Sequence, residues 1–572
     1  MTRVEHEIRI LSTVPPTLWD RIRNRLRRDL LRFRANSGVR QLCRQVAQHT
    51  PPHPIATGVN LQPVAFFNAS TRLVGMSQNS AFSLLAALGL QLAGVPVVNF
   101  ACKVGMSRCV LGTAHHPPTN PPPCKSCIAQ SRWLFSNAPT FTFTYAPSPA
   151  LVNAIQHLGM DELSTFRWEL ASGDPQSLTV KAGIPLGSLV LPSLRWALRR
   201  HHLPDDEPTR TLFCEFILSA YRVAQEFGIF LDQVSPQAVV VFNGQFFPEA
   251  TARWVAARRG LRVISHEVAI QRFSAFFTDG EATAYPIHIP ADFKLTPVQD
   301  AQLDTNLEQR FQGNFSMAGI RFWPEMRGLD ENFLQRVAQY RQVVPVFTNV
   351  IFDTSQPHSN VVFPHMFAWL DQVLEIIREN PDTLFVIRAH PDELRPGKAS
   401  RESVAEWAAQ RRVADLPNAL FINADEFLSS YELIQRSKFV MVYNSSIGLE
   451  AAIMGAAVLC AGRARFTQYP IVFFPPTPES FRQQAQEFLK AERVEAPEEF
   501  RRNARRFLYY QLYRTALPFS DFLEEDGIWP GFVRLRPFSW QKLTLDQSPT
   551  IRAIYEGIVS EKEFLFIQEG DR

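Results

Sequence analysis

Residues 438–469 read KFVMVYNSSIGLEAAIMGAAVLCAGRARFTQY and decide the fold. A short apolar run is followed by the polar turn 444–446, and then by a helical segment that Gly455 ends. A second apolar run leads to residues 461–463. The order strand, turn, helix, strand is typical of one unit of a parallel α/β sheet.

The polar turn has the features of an anion site. Ser445 or Ser446 is a suitable N-cap, and the first turn of a helix presents unpaired backbone N–H groups. Those donors and the helix dipole both favour negative charge. Because nearly every α/β unit has such a turn, the same residues describe an ordinary capped helix equally well.

Length and composition limit the class of protein. A chain of 572 residues is long enough for two or three domains. With 46% hydrophobic and 20% charged residues, it has the composition of a soluble globular enzyme. The net charge of +4 argues against nucleic acid as a partner, and seven cysteines are too few for a disulfide framework.

The first residues and the longest apolar run predict the localisation. Residues 1–10 are charged, and no apolar core of a secretory leader follows them. Residues 81–101 contain Gln91, Gly94 and Pro96, so we interpret them as a buried helix that leads into a strand rather than a membrane span. We therefore expect a cytoplasmic protein.

Seven arginines and an apolar stripe share residues 18–34, LWDRIRNRLRRDLLRFR. Ile22, Leu26, Leu30 and Phe33 recur at helical spacing, which predicts a basic amphipathic helix. Such a helix suits an anionic surface, here the inner face of the cytoplasmic membrane, or a protein partner. The alternative is a solvated helix that packs on the rest of the chain through its apolar stripe.

Four cysteines within 26 residues predict a metal site. Their spacing is C-x6-C-x14-C-x2-C, and they are Cys102, Cys109, Cys124 and Cys127. A final C-x2-C pair in a proline-rich loop is typical of structural zinc, with an iron–sulfur centre or plain reduced thiols as alternatives. His115 and His116 are spare candidate ligands. The other cysteines, Cys43, Cys214 and Cys460, are interpreted as core thiols.

Strand and helix patterns alternate in two blocks, as in α/β sheets. The first block starts with PVAFFN at residues 63–68, and the second with a strand pattern, VVPVFTNVIF, at 343–352. The predicted divisions are residues 1–50 (basic amphipathic segment), 51–285 (first α/β domain, with the four-cysteine loop), 286–340 (helical connector), 341–475 (second α/β domain) and 476–572 (helical and aromatic tail).

Polar residues end most of the predicted strands. They are Asn243-Gly244-Gln245 and His266-Glu267 in the first block, and Thr348-Asn349, Arg388 to His390, Asn444 to Ser446 and Gly462-Arg463 in the second. Ligands of open α/β sheets lie at the carboxyl ends of strands, so these residues predict a pocket. A His–Glu pair there suits a general base or a sugar hydroxyl, although a surface His beside a capping Glu is equally ordinary.

Four stretches resemble the bacterial capsule polysaccharide biosynthesis glycosyltransferases, which include the Kdo transferases of capsule assembly. They are FNGQFFPEATARWVAARRGLRVISHE (242–267), FTNVIFDTS (347–355), VIRAHPDE (386–393) and VYNSSIGLEAAIMGAAVLCAGRARF (442–466). Gln245 stands where that family usually has arginine, and Ala456 where it often has lysine or arginine.

The resemblance implies a GT-B-like α/β fold: two Rossmann-like, doubly wound domains that face each other across a cleft, with helical N- and C-terminal additions. The donor is expected on the second domain and the acceptor on the first. The implied donor-binding residues are Thr348, Asn349, Arg388, His390, Glu393, Asn444, Ser445, Ser446, Gly448, Glu450 and Arg463. The implied acceptor-side residues are Asn243, Gly244 and Gln245, and the implied catalytic residues are Glu267, His266 and Asp353, with Glu267 favoured as the base.

The function implied is transfer of a sugar from a nucleotide-sugar donor to a capsular or lipopolysaccharide-type surface glycan. Cationic side chains and helix N–H groups are expected to stabilise the leaving phosphate without a catalytic metal. The alternatives are a nucleotide-sugar epimerase, a polyol-phosphate transferase that uses a cytidine nucleotide, and a non-catalytic member of a glycan-assembly complex.

Overall fold

The structure is a computed structural model, and it describes residues 18–51, 61–70, 75–110, 122–169, 183–283, 286–312, 327–353, 355–395, 398–527 and 531–567. Its strands are β1 Val64–Phe67, β2 Met76–Ser77, β3 Val97–Cys102, β4 Thr140–Phe143, β5 Ala238–Phe242, β6 Arg262–Val268, β7 Ser274–Asp279, β8 Gln342–Phe347, β9 Thr383–Arg388, β10 Ala419–Ile422, β11 Val440–Val442, β12 Val458–Cys460, β13 Leu517–Pro518, β14 Leu523–Glu525 and β15 Phe532–Leu535.

The helices occupy both faces of the sheets and also flank them near the first and last described residues. They are α1 Leu18–His49, α2 Gln78–Leu92, α3 Cys124–Leu134, α4 Pro149–Ile155, α5 Met160–Thr165, α6 Leu186–Leu198, α7 Glu207–Val234, α8 Glu249–Arg258, α9 Pro297–Phe311, α10 Glu331–Val337, α11 Gln356–Ser359, α12 Met366–Glu379, α13 Val404–Gln410, α14 Ser430–Gln435, α15 Ile447–Ile453, α16 Pro478–Lys490, α17 Glu498–Tyr513 and α18 Pro549–Val559.

Two largely parallel sheets organise the chain. The first has the order β13-β7-β6-β5-β1-β3-β4, in which β7 pairs antiparallel with both of its neighbours, β6 and β13, and the other pairs are parallel. The second has the order β10-β9-β8-β11-β12 and is parallel throughout. A small antiparallel sheet, β14-β15-β2, lies beside the first. The predicted pair of Rossmann-like domains is therefore confirmed.

Burial on both faces explains the apolar strands. All six residues of β9, TLFVIR, are buried, and so are five of the six in β8. Sheets covered by helices on both sides show such continuous apolar runs instead of alternation. The side chains of each sheet divide accordingly between two separate apolar clusters, one on each face.

The strand predicted at residues 343–352 is shorter in the structure. It ends at Phe347, because the following residues turn out of the sheet and make side-chain contacts. The backbone N–H of Asn349 donates to Met366 Sδ at 3.1 Å, and its side-chain amide reaches Asn444. This early end places residues 349–353 on the rim of the sheet.

The basic segment forms the predicted helix, which continues to His49. Its second half packs on the first domain through four buried residues, Val39, Leu42, Cys43 and Val46. The first half presents its stripe to solvent: Trp19 is 79% exposed and Leu26 and Phe33 are each 65% exposed. The alternative of a stripe packed on the chain therefore does not describe residues 19–33.

Hydropathy along the described helices gives no candidate for a membrane crossing, since none is both long and apolar enough. The predicted buried helix within residues 81–101 is present as α2, which is covered by the first domain and runs into β3.

Candidate functional site

A cavity of about 900 Å³ lies between the two sheets. The first domain contributes apolar wall residues, among them Trp196, Val268 and Phe276. The second domain contributes polar residues that follow its strands: Asn349, Asp353, His358, His390, Asp392, Asn444, Ser445 and Ser446. The carboxyl ends of the second sheet therefore face a cavity, as open α/β sheets do at their ligand sites.

Asn444 is the centre of a hydrogen-bond network behind this wall. Its Oδ1 accepts from Asn349 Nδ2 at 2.6 Å, and its Nδ2 donates to Ser355 Oγ at 3.2 Å and Ser359 Oγ at 2.5 Å. The side chain of Asn444 is buried, so these bonds satisfy groups that water does not reach. The network fixes the loop after β8 against the turn after β11.

The turn itself differs from the sequence prediction. Ser446 is the N-cap of α15, but its side chain makes no capping bond, and its own backbone is already helical. The helix that follows has seven residues, about two turns, so its dipole contributes little to anion binding. A Cβ on Gly448 would lie 3.0 Å from Val442 Cγ2, which makes this glycine a close-packing residue of the helix.

Four cations line the same cavity and supply positive charge that the short helix does not: Arg395, Lys398, Arg463 and Arg465. Two carboxylates, Asp353 and Asp392, accompany them, so the lining has a positive balance. Only Arg463 was identified from the sequence. The residues around Arg395 and Lys398 and the segment after Gly462 have no ligand motif of their own, and the fold brings them together.

His390 lines the cavity in a defined tautomer. Its Nδ1 accepts the backbone N–H of Asp392 at 3.2 Å, which puts the ring proton on Nε2. Burial lowers the pKa of His390, and the nearby carboxylates of Asp392 and Asp353 act in the opposite direction. The neutral ring is therefore an N–H donor, a group that suits a phosphate oxygen.

Several residues implied as donor contacts lie outside this cavity, in the body of the second domain. The Oγ1 of Thr348 donates to the carbonyl of Arg388 at 2.9 Å, and Arg388 donates to the carbonyls of Leu428 and Glu426. Burial lowers the pKa of Arg388 to about 10 and raises the pKa of Glu393 to about 8. These side chains hold loops in place behind the wall.

Glu450 is also engaged by the protein. Its carboxylate pairs with Arg310 Nη1 at 2.9 Å and accepts from the Tyr431 hydroxyl at 2.7 Å. Both members of the ion pair are nearly buried, at 5% and 6% side-chain exposure. In the structure this carboxylate joins the connector helix α9 to α15, and its implied contact with a ribose or sugar hydroxyl stays a prediction.

The predicted His–Glu pair at the end of β6 lies outside the cavity lining too. Glu267 accepts from Asn79 Nδ2 at 3.0 Å, Asn243 Nδ2 at 2.9 Å and the N–H of Val268 at 2.8 Å. Full burial lowers the pKa of His266 to about 3, so this ring is neutral. His266 is buried, whereas Glu267 is half-buried and engaged by three protein donors.

Asn243, Gly244 and Gln245 form a tight turn after β5, where Asn243 and Gly244 have φ of +57° and +77°. The Asn243 side chain accepts the N–H of Gln245 at 3.0 Å, which stabilises the turn. Gln245 is nearly buried, and its Oε1 lies 3.4 Å from His358 Nε2 in the second domain.

One pair of residues was missed by the sequence analysis, and its histidine lines the cavity. His358 of α11 contacts the carboxylate of Glu281 in the first domain through its Nε2. The two residues are far apart in the chain, and neither belongs to a recognisable motif. Only the closed arrangement of the domains reveals the pair.

The four cysteines all line one small cavity of about 20 Å³, together with Met106, Pro122 and Pro123. The N–H of Gly105 donates to Cys102 Sγ at 3.1 Å, and burial raises the pKa of that thiol to about 12. Within the described ranges, no three potential ligands are arranged to hold an ion, and His115 and His116 lie outside those ranges. The metal site stays a prediction.

Three solved structures to which this chain is similar have low identity. The KpsC beta Kdo 2,4 transferase of Thermosulfurimonas dismutans is 14% identical over 49% of this chain and 80% of that one, with a TM-score of 0.34. The putative UDP-N-acetylglucosamine 2-epimerase of Listeria monocytogenes is 12% identical over 79% and 95%, with a TM-score of 0.23. The sucrose-phosphate synthase of Thermosynechococcus elongatus is 11% identical over 78% and 93%, with a TM-score of 0.26. At these values none carries an argument about function.

The sequence of the second domain gives a clearer result. No curated protein matches the chain. Residues 320–488, however, match the family described as capsule polysaccharide biosynthesis protein. Three of the four stretches quoted above fall in this region, and so does the polar wall of the cavity. Residues 320–488 of this chain are therefore similar to the capsule polysaccharide biosynthesis family.

Proposed function

We propose that the protein is a glycosyltransferase that moves a sugar from a nucleotide-sugar donor to a growing surface glycan. The observation that carries this function is the cavity between the two sheets, whose volume of about 900 Å³ suits a ligand of that size. Its second-domain wall is polar and cationic, while its first-domain wall is more apolar. One side thus suits a phosphate, and the other a bulkier acceptor.

The donor phosphate is expected against Arg395, Lys398, Arg463 and Arg465. When the sugar–phosphate bond breaks, negative charge grows on the leaving phosphate, and fixed donors stabilise it most effectively. His390 adds an Nε2–H donor whose proton stays on the ring. We propose that these side chains, rather than a catalytic metal, supply the charge stabilisation.

A ligand screen followed by product analysis tests this function. Purified protein is heated with UDP-, GDP- and CMP-linked sugars, and a donor at ~100 times its Kd should stabilise it by about 2.7 kcal/mol. Arg463→Ala should lose that shift, whereas Arg493→Ala, an exposed arginine outside the cavity, should keep it. A shift that survives in R463A as in wild type, or no shift with any donor, contradicts the proposal.

The products separate the alternatives. A glycosyltransferase lengthens an acceptor glycan and releases the nucleotide. Free epimerised nucleotide sugar without any acceptor would indicate an epimerase, and a phosphorylated glycan would indicate transfer of a polyol phosphate. Donor binding without turnover, in the presence of lipid-linked glycan extract, would indicate a non-catalytic member.

We also propose that the first half of α1 rests on an anionic membrane surface at the cytoplasmic side. The exposed stripe of Trp19, Ile22, Leu26, Leu30 and Phe33 stands among seven arginines, which is the pattern of an interfacial helix. The site of assembly of a surface glycan is such a membrane, and this helix would hold the enzyme near its acceptor.

Vesicle co-sedimentation tests the membrane contact. Wild-type protein should sediment with phosphatidylglycerol vesicles and much less with phosphatidylcholine vesicles, because the arginines need anionic headgroups. The triple variant W19A/L26A/F33A should lose most of the binding without a change in melting temperature, since these side chains are exposed. Equal sedimentation of variant and wild type would contradict the proposal.

For the four-cysteine loop we propose a structural metal, zinc or an iron–sulfur centre, held by thiolates. All four cysteines line one cavity, and an N–H···S bond like that from Gly105 stabilises a metal-bound thiolate. Metal analysis should find one equivalent in wild type, a loss in Cys127→Ser, and no loss in Cys214→Ser. Less than stoichiometric zinc and iron in wild type would remove the site.

A further inference from the structure

The pair formed by His358 and Glu281 spans the two domains at the cavity. His358 Nε2 lies in contact with Glu281 Oε1, and the same Nε2 lies 3.4 Å from Gln245 Oε1. The imidazole is 32% exposed and lines the cavity, whereas the carboxylate is only 12% exposed. Arg253 approaches Glu281 at 3.5 Å from the first-domain side. The imidazole of His358 is therefore accessible to a ligand, and Arg253 holds the carboxylate of Glu281 in place.

The backbone of His358 is fixed to the proposed donor wall. Its neighbour Ser359 accepts from Asn444 Nδ2 at 2.5 Å, and the Ser359 carbonyl accepts the N–H of Arg463 at 3.0 Å. Asn444 and Arg463 both line the cavity. A donor that engages this wall would therefore sit close to an imidazole whose position the same residues determine.

Two acceptor groups, from Glu281 and Gln245, meet the same ring nitrogen. That arrangement puts the ring proton on Nε2 and makes Nδ1 the basic nitrogen of the neutral imidazole. A carboxylate behind the imidazole orients it and stabilises the imidazolium that forms when it takes a proton. The pair thus has the geometry of a carboxylate–imidazole base.

We propose that His358, positioned by Glu281, is the base that accepts the proton of the attacking acceptor hydroxyl, an inference that rests on the glycosyltransferase function proposed above. The acceptor oxygen forms a bond to the anomeric carbon, and its proton passes to His358 Nδ1. The bond from the anomeric carbon to the phosphate oxygen breaks, and its electron pair leaves with the nucleotide. The imidazolium then releases its proton to solvent.

This assignment differs from the sequence prediction, which favoured Glu267. Glu267 accepts three hydrogen bonds from the protein and does not line the cavity, and His266 is fully buried. The contact between His358 and Glu281 also forms across the domain boundary, so the base is assembled when the cleft is closed.

A second His–Glu contact between the domains provides a matched control. Glu402 of the second domain accepts the N–H groups of His201 and His202 at 2.8 and 2.9 Å and pairs with the His202 ring. This contact does not line the cavity. Glu402→Gln therefore weakens a domain contact of the same chemistry without touching the proposed base.

The experiment measures donor binding and turnover in full-length variants, with the nucleotide sugar that gives the largest thermal shift and a lipid-linked glycan extract as acceptor. His358→Ala should lower kcat by about 10²–10⁴-fold with donor Kd unchanged, the range for a missing general base. Added imidazole should restore part of the loss in H358A. Glu281→Gln should lower kcat by about tenfold without rescue by imidazole, and E402Q should leave kcat unchanged.

Full activity in H358A, or an equal loss in E402Q, would overturn the assignment. A loss of kcat in H358A that imidazole does not restore, together with a full loss in Asp353→Asn, would move the base to Asp353. If wild-type protein binds no donor and gives no turnover, the glycosyltransferase function fails instead, which is a different result from selective loss in H358A.

Discussion

The two domains end their strands in the same kind of residue, but with different consequences. In the first domain, Asn243 and Glu267 bind each other and neighbouring backbone, so the polar edge is closed. In the second, Asn444 is bonded from behind while His390 and Arg463 line the cavity. A polar strand end therefore belongs to a ligand site only where the fold places it beside a cavity.

The largest loss of stability is expected inside the second domain, at Glu450. The resemblance implies that this residue contacts the donor, but its carboxylate is bonded to Arg310. Glu450→Ala should lower the free energy of unfolding by about 3–5 kcal/mol, because it leaves the buried charge of Arg310 without this carboxylate. Denaturant unfolding measures the loss. The double variant R310M/E450L should recover most of it, since a well-packed apolar pair replaces the ions, and a full loss in the double variant would contradict the argument.

The next effect separates chemistry from stability. His390→Ala should reduce kcat/KM by about 10²–10³-fold, or roughly 3–4 kcal/mol, through the loss of one fixed donor to the leaving phosphate. The melting temperature should change little, because the ring faces a cavity. Steady-state kinetics on donor and acceptor provide the measurement. Wild-type rates in H390A would show that this polar edge is as structural as the other.

Glu393 predicts a pH dependence of stability. Burial raises its pKa from 4.5 to about 8 in the folded protein, so the folded state binds a proton that the unfolded state releases above pH 4.5. Stability is therefore highest below that pH and falls as the pH rises to about 8, with a slope of at most ~1.4 kcal/mol per pH unit. Melting curves of Glu393→Gln should be flatter over this window. An unchanged slope would contradict the shift.

The smallest effect is expected at the edge of the first domain. Glu267→Gln keeps one acceptor oxygen and should cost about 1 kcal/mol of stability with kcat within a few-fold of wild type. Thermal melts and turnover of the same preparation give both values. Loss of all turnover in E267Q with a stable fold would reverse the comparison, because it would assign the base to the first domain after all.

The periodicity of apolar residues was sufficient to predict the fold. The pattern of residues 438–469 corresponds to β11, α15 and β12, since buried strands and a short helix leave an unmistakable apolar rhythm. Only part of the site could be predicted from the sequence. His390 and Asn444 follow strands and carry a motif, but Arg395, Lys398 and His358 reach the cavity from loops and a short helix.

The sequence also could not predict which polar residues are buried. A glutamate in a helix, such as Glu450, has the same sequence signature whether it faces a ligand or an arginine from another part of the chain. Its partner Arg310 lies in the connector, and contacts of such long separation are not encoded in local spacing. Sequence reasoning thus identifies the edge of a sheet more readily than it identifies the partners of each side chain.

The C-terminal segment has a mechanical consequence for the cleft. Helix α17 packs on α15 in the second domain, and three residues later β13 pairs with β7 in the first sheet. Among the described residues, the chain therefore passes between the domains twice, once between β7 and β8 and once at residues 514–516. Two covalent connections between the domains permit one domain to rotate relative to the other, and they resist separation of the domains. Substrates would enter and leave by a rotation of one domain, while the two connections keep the domains joined.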